Sequence, residues 1–155
     1  MGIIIPFPNN RNIRKIEDGE ETAILSGKHK QVLQDKLEEK TRYVSEQDIK
    51  TIERLTYHKL KKIRSRKLFV KKMRERVKLL YEMLFDEEIK LTKTARKTVA
   101  AGLLYFVSQK DLLADDIPGL GYLDDAYIIR LVCEKAGSEI QNYLAIKGKD
   151  ERLYI

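Results

Sequence analysis

The chain has 155 residues, a length that suits one domain, with 31 Lys and Arg against 24 Asp and Glu and a net charge of +7. At 43% hydrophobic and 35% charged, with three Pro, eight Gly and no Trp, it carries enough apolar material for a core. That excludes a wholly disordered chain, and the scarcity of turn formers argues against a loop-rich sandwich or barrel.

Residues 1–27 show no sustained period and contain Pro6, Pro8, Asn9, Asn10 and the acids Glu17, Asp18, Glu20 and Glu21. They are expected to form a flexible or loosely docked tail, frayed or with Ile3, Ile4, Ile5 and Phe7 lying in a groove. The apolar start lacks a basic region ahead of it and is cut by Pro6 and Pro8, so a signal peptide is not expected. Pro6 also stands where a myristoylation signal would carry Ser or Thr.

A helical domain is expected over 28–147. Its first helix, 28–41, has an apolar stripe of Val32, Leu33 and Leu37. Ser45 followed by Asp48 has the form of a capping box, and Ile49, Ile52, Leu55 or Thr56, Leu60 and Ile63 then recur at helical spacing. Arg64-Ser65-Arg66 is the expected break. The next helix, 67–85, places Phe69, Met73, Val77, Leu80 and Leu84 on one face. Asp86-Glu87-Glu88 ends it, and Thr92 or Thr94 caps a helix over 93–108.

That helix is apolar on nearly every side in its second half, from Val99 to Val107, which marks the central member of a bundle. Ala100, Ala101 and Gly102 would let neighbours approach closely. Its uncharged stretch, 98–109, has twelve residues, well short of the ~20 a membrane span needs. A connector follows over 109–122, then a last helix over 123–146 with Asp124 and Asp125 in its first turn, where carboxylates meet the positive end of the helix dipole. Gly148 ends it, and 148–155 reads as a C-terminal tail. The expected fold is all-α, a small bundle of four or five helices with an irregular N-terminal tail.

Cys133 is the single cysteine, which excludes a disulfide scaffold and a cysteine-rich zinc site. His29 and His58 lack metal-ligand spacing, and Cys133 reads as a buried, inert thiol. A reducing cytoplasm is the expected setting, with the chain peripheral to the inner face of the membrane if it binds lipid.

The stretch 108–125 reads SQKDLLADDIPGLGYLDD. It resembles the signature of the YkvA-like domain of unknown function, S-P-x-D-L-I-P-D-x-I-P-x-x-G-x-x-D-D preceded by a small-residue apolar helix. The resemblance covers about 95–131 and extends as a YkvA-like core over about 68–146. Ser108, Asp111, Asp115, Pro118, Gly121, Asp124 and Asp125 match the pattern; Gln109 and Ala114 stand where the family usually has proline, so that either a more flexible connector or a helical turn is expected here. The resemblance implies a small helical module of bacterial proteins, some membrane-associated, with no catalytic activity attached.

Five aspartates and no Lys or Arg occur over 111–125. They are expected to act structurally, Asp124 and Asp111 as caps and Asp115 bonded to backbone amides or a basic neighbour. The alternative is a divalent-cation site on Asp111, Asp115, Asp124 and Asp125, since hard oxygen ligands suit calcium or magnesium. The spacing does not follow a calcium loop, and no nucleophile–base pair accompanies it. No other cofactor is expected.

Over 59–78, eleven of twenty residues are basic, and Glu75 is the sole acid. Lys59, Lys61, Lys62, Arg64, Arg66, Lys67, Lys71, Lys72, Arg74, Arg76 and Lys78 therefore form a candidate face for phosphates on anionic lipid or, less favoured, nucleic acid. The plainer reading is a solvated or intramolecularly paired face whose long stems cover apolar surface. No base-reading motif accompanies it. The functional expectation is a non-enzymatic interaction or scaffold module with an unknown protein partner, working at an anionic membrane surface through this segment. The alternatives are a cation sensor or metal-dependent enzyme built on the aspartates, and a non-specific nucleic-acid binder.

Overall fold

The structure, a computed structural model, describes residues 25–108 and 122–154. Most of the expected N-terminal tail, residues 1–24, and most of the connector, with Asp111, Asp115, Pro118 and Gly121, lie outside the described residues. Within them are six α-helices and one short 3-10 turn, and no strand.

Helix α1 (Gly27–Tyr43) starts where the Ser26 side chain accepts from the His29 amide at 3.1 Å, and it buries Leu33 and Leu37. Val32, expected on the same stripe, is exposed, because three apolar positions within six residues span more arc than the narrow buried face. Helix α2 (Glu46–Lys62) opens with the expected capping box: Ser45 and Asp48 each accept from the other's backbone amide. Ile49, Ile52, Thr56 and Leu60 point inward, and the Thr56 hydroxyl donates to the Ile52 carbonyl at 2.7 Å. That bond lets a polar residue sit in the core without an unmet group.

The chain leaves helical geometry over 63–67, where the break was expected. Buried Ile63 pins this corner, and Ser65 accepts from the Lys67 amide. Helix α3 (Leu68–Phe85) buries Phe69, Met73, Val77, Leu80 and Leu84, the predicted face, and also Val70, Arg76, Leu79 and Met83. It stops at Asp86, whose carboxylate accepts from the Ile89 and Glu88 amides and the Tyr143 hydroxyl and pairs with Lys147 at 3.2 Å. The Ile89 amide, then the Tyr143 hydroxyl and the Glu88 amide, hold Asp86 well below the usual carboxylate range. Burial and Asp86 push the Tyr143 phenol up.

Thr92 caps helix α4 (Lys93–Ser108) through the Ala95 amide. Val99, Ala100, Ala101, Gly102, Leu103, Tyr105 and Phe106 are all buried, and α4 packs against α1, α2, α3 and α5. It is the axis of the bundle. The small residues matter most at Gly102: a β-carbon there would lie 2.5 Å from Val132 Cγ2, so α4 and α5 approach as closely as a bare backbone permits.

The predicted last helix is two, which makes six where four or five were expected. Helix α5 (Leu123–Lys135) ends at Ala136, whose backbone (φ −100°, ψ 21°) leaves the helical region, and α6 (Gly137–Lys147) begins on the glycine that follows. Glycine is a weak helix-interior residue, and a bend at this point turns Ile140, Tyr143 and Leu144 onto the core. Gly148 adopts the left-handed conformation (φ 70°) and closes α6, with the Lys149 amide reaching the Leu144 carbonyl. A 3-10 turn (Glu151–Leu153) follows, and Tyr154 is buried, its carbonyl accepting from Arg76 Nε at 2.8 Å.

Candidate functional site

The two motif acids within the described residues sit side by side in the first turn of α5 and have different neighbours. The Asp125 side chain is 2% exposed and pairs with Lys59 at 3.0 Å. Lys59 also donates to the Phe106 carbonyl at 2.6 Å and stands 4.4 Å from the Phe106 ring centroid. One ammonium thus joins α2 to α5 and meets a carbonyl in the last turn of α4, where the helix dipole favours a cation. Asp124 contacts His29 Nε2 of α1 at 2.8 Å. Neither aspartate caps α5. The cap position is Tyr122, in left-handed conformation, with no side-chain cap bond, so the capping role expected of Asp124 is replaced by bonds between helices. Ser108, the last residue of α4, donates to the Leu104 carbonyl.

No three His, Cys, Asp or Glu side chains converge among the described residues. Asp124 and Asp125 face a histidine and a lysine, and Asp111 and Asp115 lie outside the described residues.

The basic segment divides into two populations. Arg76 is 4% exposed and engages Tyr154; Lys59 turns inward as above. Both therefore depart from the expected solvent-facing phosphate surface. Helical spacing permits these places, since Lys59 stands within about a turn of Thr56 and Leu60 on α2 and Arg76 within about a turn of Met73 and Leu80 on α3, and the distant partners each one reaches decide them. Lys78 pairs with Glu75 at 3.3 Å. Lys67, Lys72 and Arg74 are partly exposed, while Lys61, Lys62, Arg64, Arg66 and Lys71 are exposed.

The exposed five gather at the corner between α2 and α3. Among the described residues, none of them has an acidic partner. At the same corner Leu68 is 37% exposed, one helical turn from Lys71 and Lys72. The sequence reading overlooked Leu68, because an apolar residue between basic ones reads as core. This corner combines unneutralised cations with an apolar tip, and no helix among the described residues is long and apolar enough to cross a membrane.

Residues 95–131 match the profile of a family described as a protein of unknown function (DUF1232), and the YkvA-like resemblance is consistent with it. The matched stretch runs from α4 through the connector into α5, and so contains Phe106, Asp124 and Asp125. No curated protein and no solved structure matches the chain.

Proposed function

We propose that this chain is a non-enzymatic helical interaction module that docks on an anionic membrane surface through the α2–α3 corner. The supporting observation is the set of exposed, unpaired Lys61, Lys62, Arg64, Arg66 and Lys71 around exposed Leu68. Each cation near an anionic leaflet contributes about 1 kcal/mol, and an apolar residue at the tip can enter the headgroup boundary. Phosphates of nucleic acid would use the same cations but gain nothing from Leu68. Asp124 and Asp125 hold α5 against α1 and α2.

Flotation of the intact chain with phosphatidylcholine vesicles, with and without phosphatidylserine, tests the reading. Binding is expected only with phosphatidylserine, to fall steeply with salt, and to be lost in Lys61→Glu/Arg64→Glu. Equal binding to neutral vesicles, no binding to either, or preference for duplex DNA or RNA over vesicles would overturn it.

A further inference from the structure

The break between α2 and α3, residues 63–67, places one hydroxyl in the middle of the basic corner. Ser65 is the sole Ser, Thr or Tyr between Lys59 and Lys78. It is partly exposed, its backbone lies outside helical geometry, and Arg64 and Arg66 on either side of it stand in solvent. Exposed Lys61, Lys62 and Lys71 complete the cluster, and none of these five cations has an acidic partner among the described residues. The Ser65 oxygen accepts from the Lys67 amide at 3.2 Å. Among the described residues its own proton is donated to no acceptor.

A phosphate on that oxygen would act on the corner through charge. It carries about −1.5 to −2 at neutral pH, which cancels about two of the five unpaired cations. Attraction to an anionic leaflet grows with each such cation, so losing two weakens partition roughly thirtyfold. The helix beside it is not harmed. The first turn of α3 holds no acid, and its cap position, Lys67, makes no side-chain cap bond, so a negative group there meets the favourable end of the helix dipole. Release would follow from neutralised charge and not from unfolding.

We propose that Ser65 is a phosphorylation site whose phosphate frees the corner from an anionic membrane, a regulation that rests on the docking proposed above. A serine/threonine kinase selective for basic segments, with ATP, supplies the phosphoryl group. The bond from Ser65 Oγ to the γ-phosphorus forms as the bond from that phosphorus to the β–γ bridging oxygen breaks. ADP leaves, and the hydroxyl proton passes to the catalytic base of the kinase. A phosphatase reverses the step by hydrolysis to serine and inorganic phosphate.

Phosphoserine incorporated into the intact chain at Ser65 and, in a second preparation, at Ser138 tests it. Ser138 is exposed on α6, beyond the end of α5 opposite the one Lys59 reaches, and so places an equal charge away from the corner. In flotation with phosphatidylserine-containing vesicles, the Ser138 form should bind nearly as the unmodified chain does. The Ser65 form should bind roughly thirtyfold more weakly, with binding restored by phosphatase and a melting midpoint no lower than that of the unmodified chain. The folded chain, incubated with such a kinase and Mg-ATP, should gain phosphate at Ser65 by mass mapping, and Ser65→Ala should float without responding to it. Undiminished flotation of the Ser65 form, equal loss in the Ser138 form, loss explained by a lowered melting midpoint, or no phosphate at Ser65 would overturn the switch and leave the docking standing. An unmodified chain that does not float would overturn the docking, and the switch with it.

Discussion

Lys59 and Asp125, 66 residues apart in the chain, meet at 3.0 Å where α2, α4 and α5 come together. The lysine belongs to the most basic stretch of the sequence and the aspartate to the most acidic. Each is consumed by the other, and what remains exposed of the basic stretch is correspondingly smaller and sharper. Because the Asp125 side chain is 2% exposed and that of Lys59 18%, Lys59→Met deprives a buried carboxylate of this cation and should cost about 3–5 kcal/mol. Lys59→Met/Asp125→Leu should lose clearly less than the two single losses added together, since no buried charge is stranded. Urea unfolding of the four chains measures this; strict additivity would refute the coupling.

Gly102 should tolerate no side chain. Gly102→Ala drives a methyl into Val132 Cγ2, and overpacking of this kind costs about 1–3 kcal/mol, more than the helix-propensity gain of about 1 kcal/mol from replacing glycine. In a Val132→Ala background the same change should cost far less or turn favourable, as read by thermal unfolding. An equal penalty in both backgrounds would place the strain elsewhere.

Asp86 makes acid stability a local matter. Its folded carboxyl is held below the unfolded value by the Ile89 amide, the Tyr143 hydroxyl and the Glu88 amide. The stability it contributes is therefore complete above the unfolded carboxylate pKa of about 3.9 and is lost as pH falls through the lower folded value. Asp86→Asn should lower the melting midpoint at neutral pH and flatten its fall below about pH 4. Tyr143 acts with the opposite sign: its raised phenol favours the folded chain until pH climbs past the ordinary tyrosine value of about 10. Tyr143→Phe should therefore flatten the alkaline limb. Melting curves across pH that leave either limb unchanged would contradict the assignment.

The two populations of basic residues should separate cleanly. Lys61→Glu and Arg64→Glu lie in solvent and should change stability by no more than about 0.5 kcal/mol. Each should weaken partition onto phosphatidylserine vesicles by at least about 1 kcal/mol, roughly fivefold. Leu68→Ser, which keeps every charge, should also weaken partition; a partition that ignores Leu68 would reduce the corner to a purely electrostatic contact.

Much of the fold was legible because its signals are local. The Ser45–Asp48 capping box, the Phe69–Leu84 face and the apolar surround of α4 each rest on residues within a turn or two of one another, and each appears as read. The bend at Ala136 was missed because Gly137 alone is a weak signal inside an apolar period, and only the need to turn Ile140, Tyr143 and Leu144 onto the core makes it decisive. The candidate contact surface was legible as a segment but not as a surface.

By itself the sequence determined an all-helical chain, the order and most ends of its helices, the central place of α4, and a local excess of positive charge. These follow from periodicity, caps and composition, which act over a few residues. Which charges face solvent was decided only by tertiary structure. Lys59 and Arg76 share a stretch with Lys61 and Lys71, yet the first pair is turned inward toward Asp125 and Tyr154 and the second outward. The difference is set by partners dozens of residues away, and packing against them, rather than the charge of the segment, assigns each side chain its work.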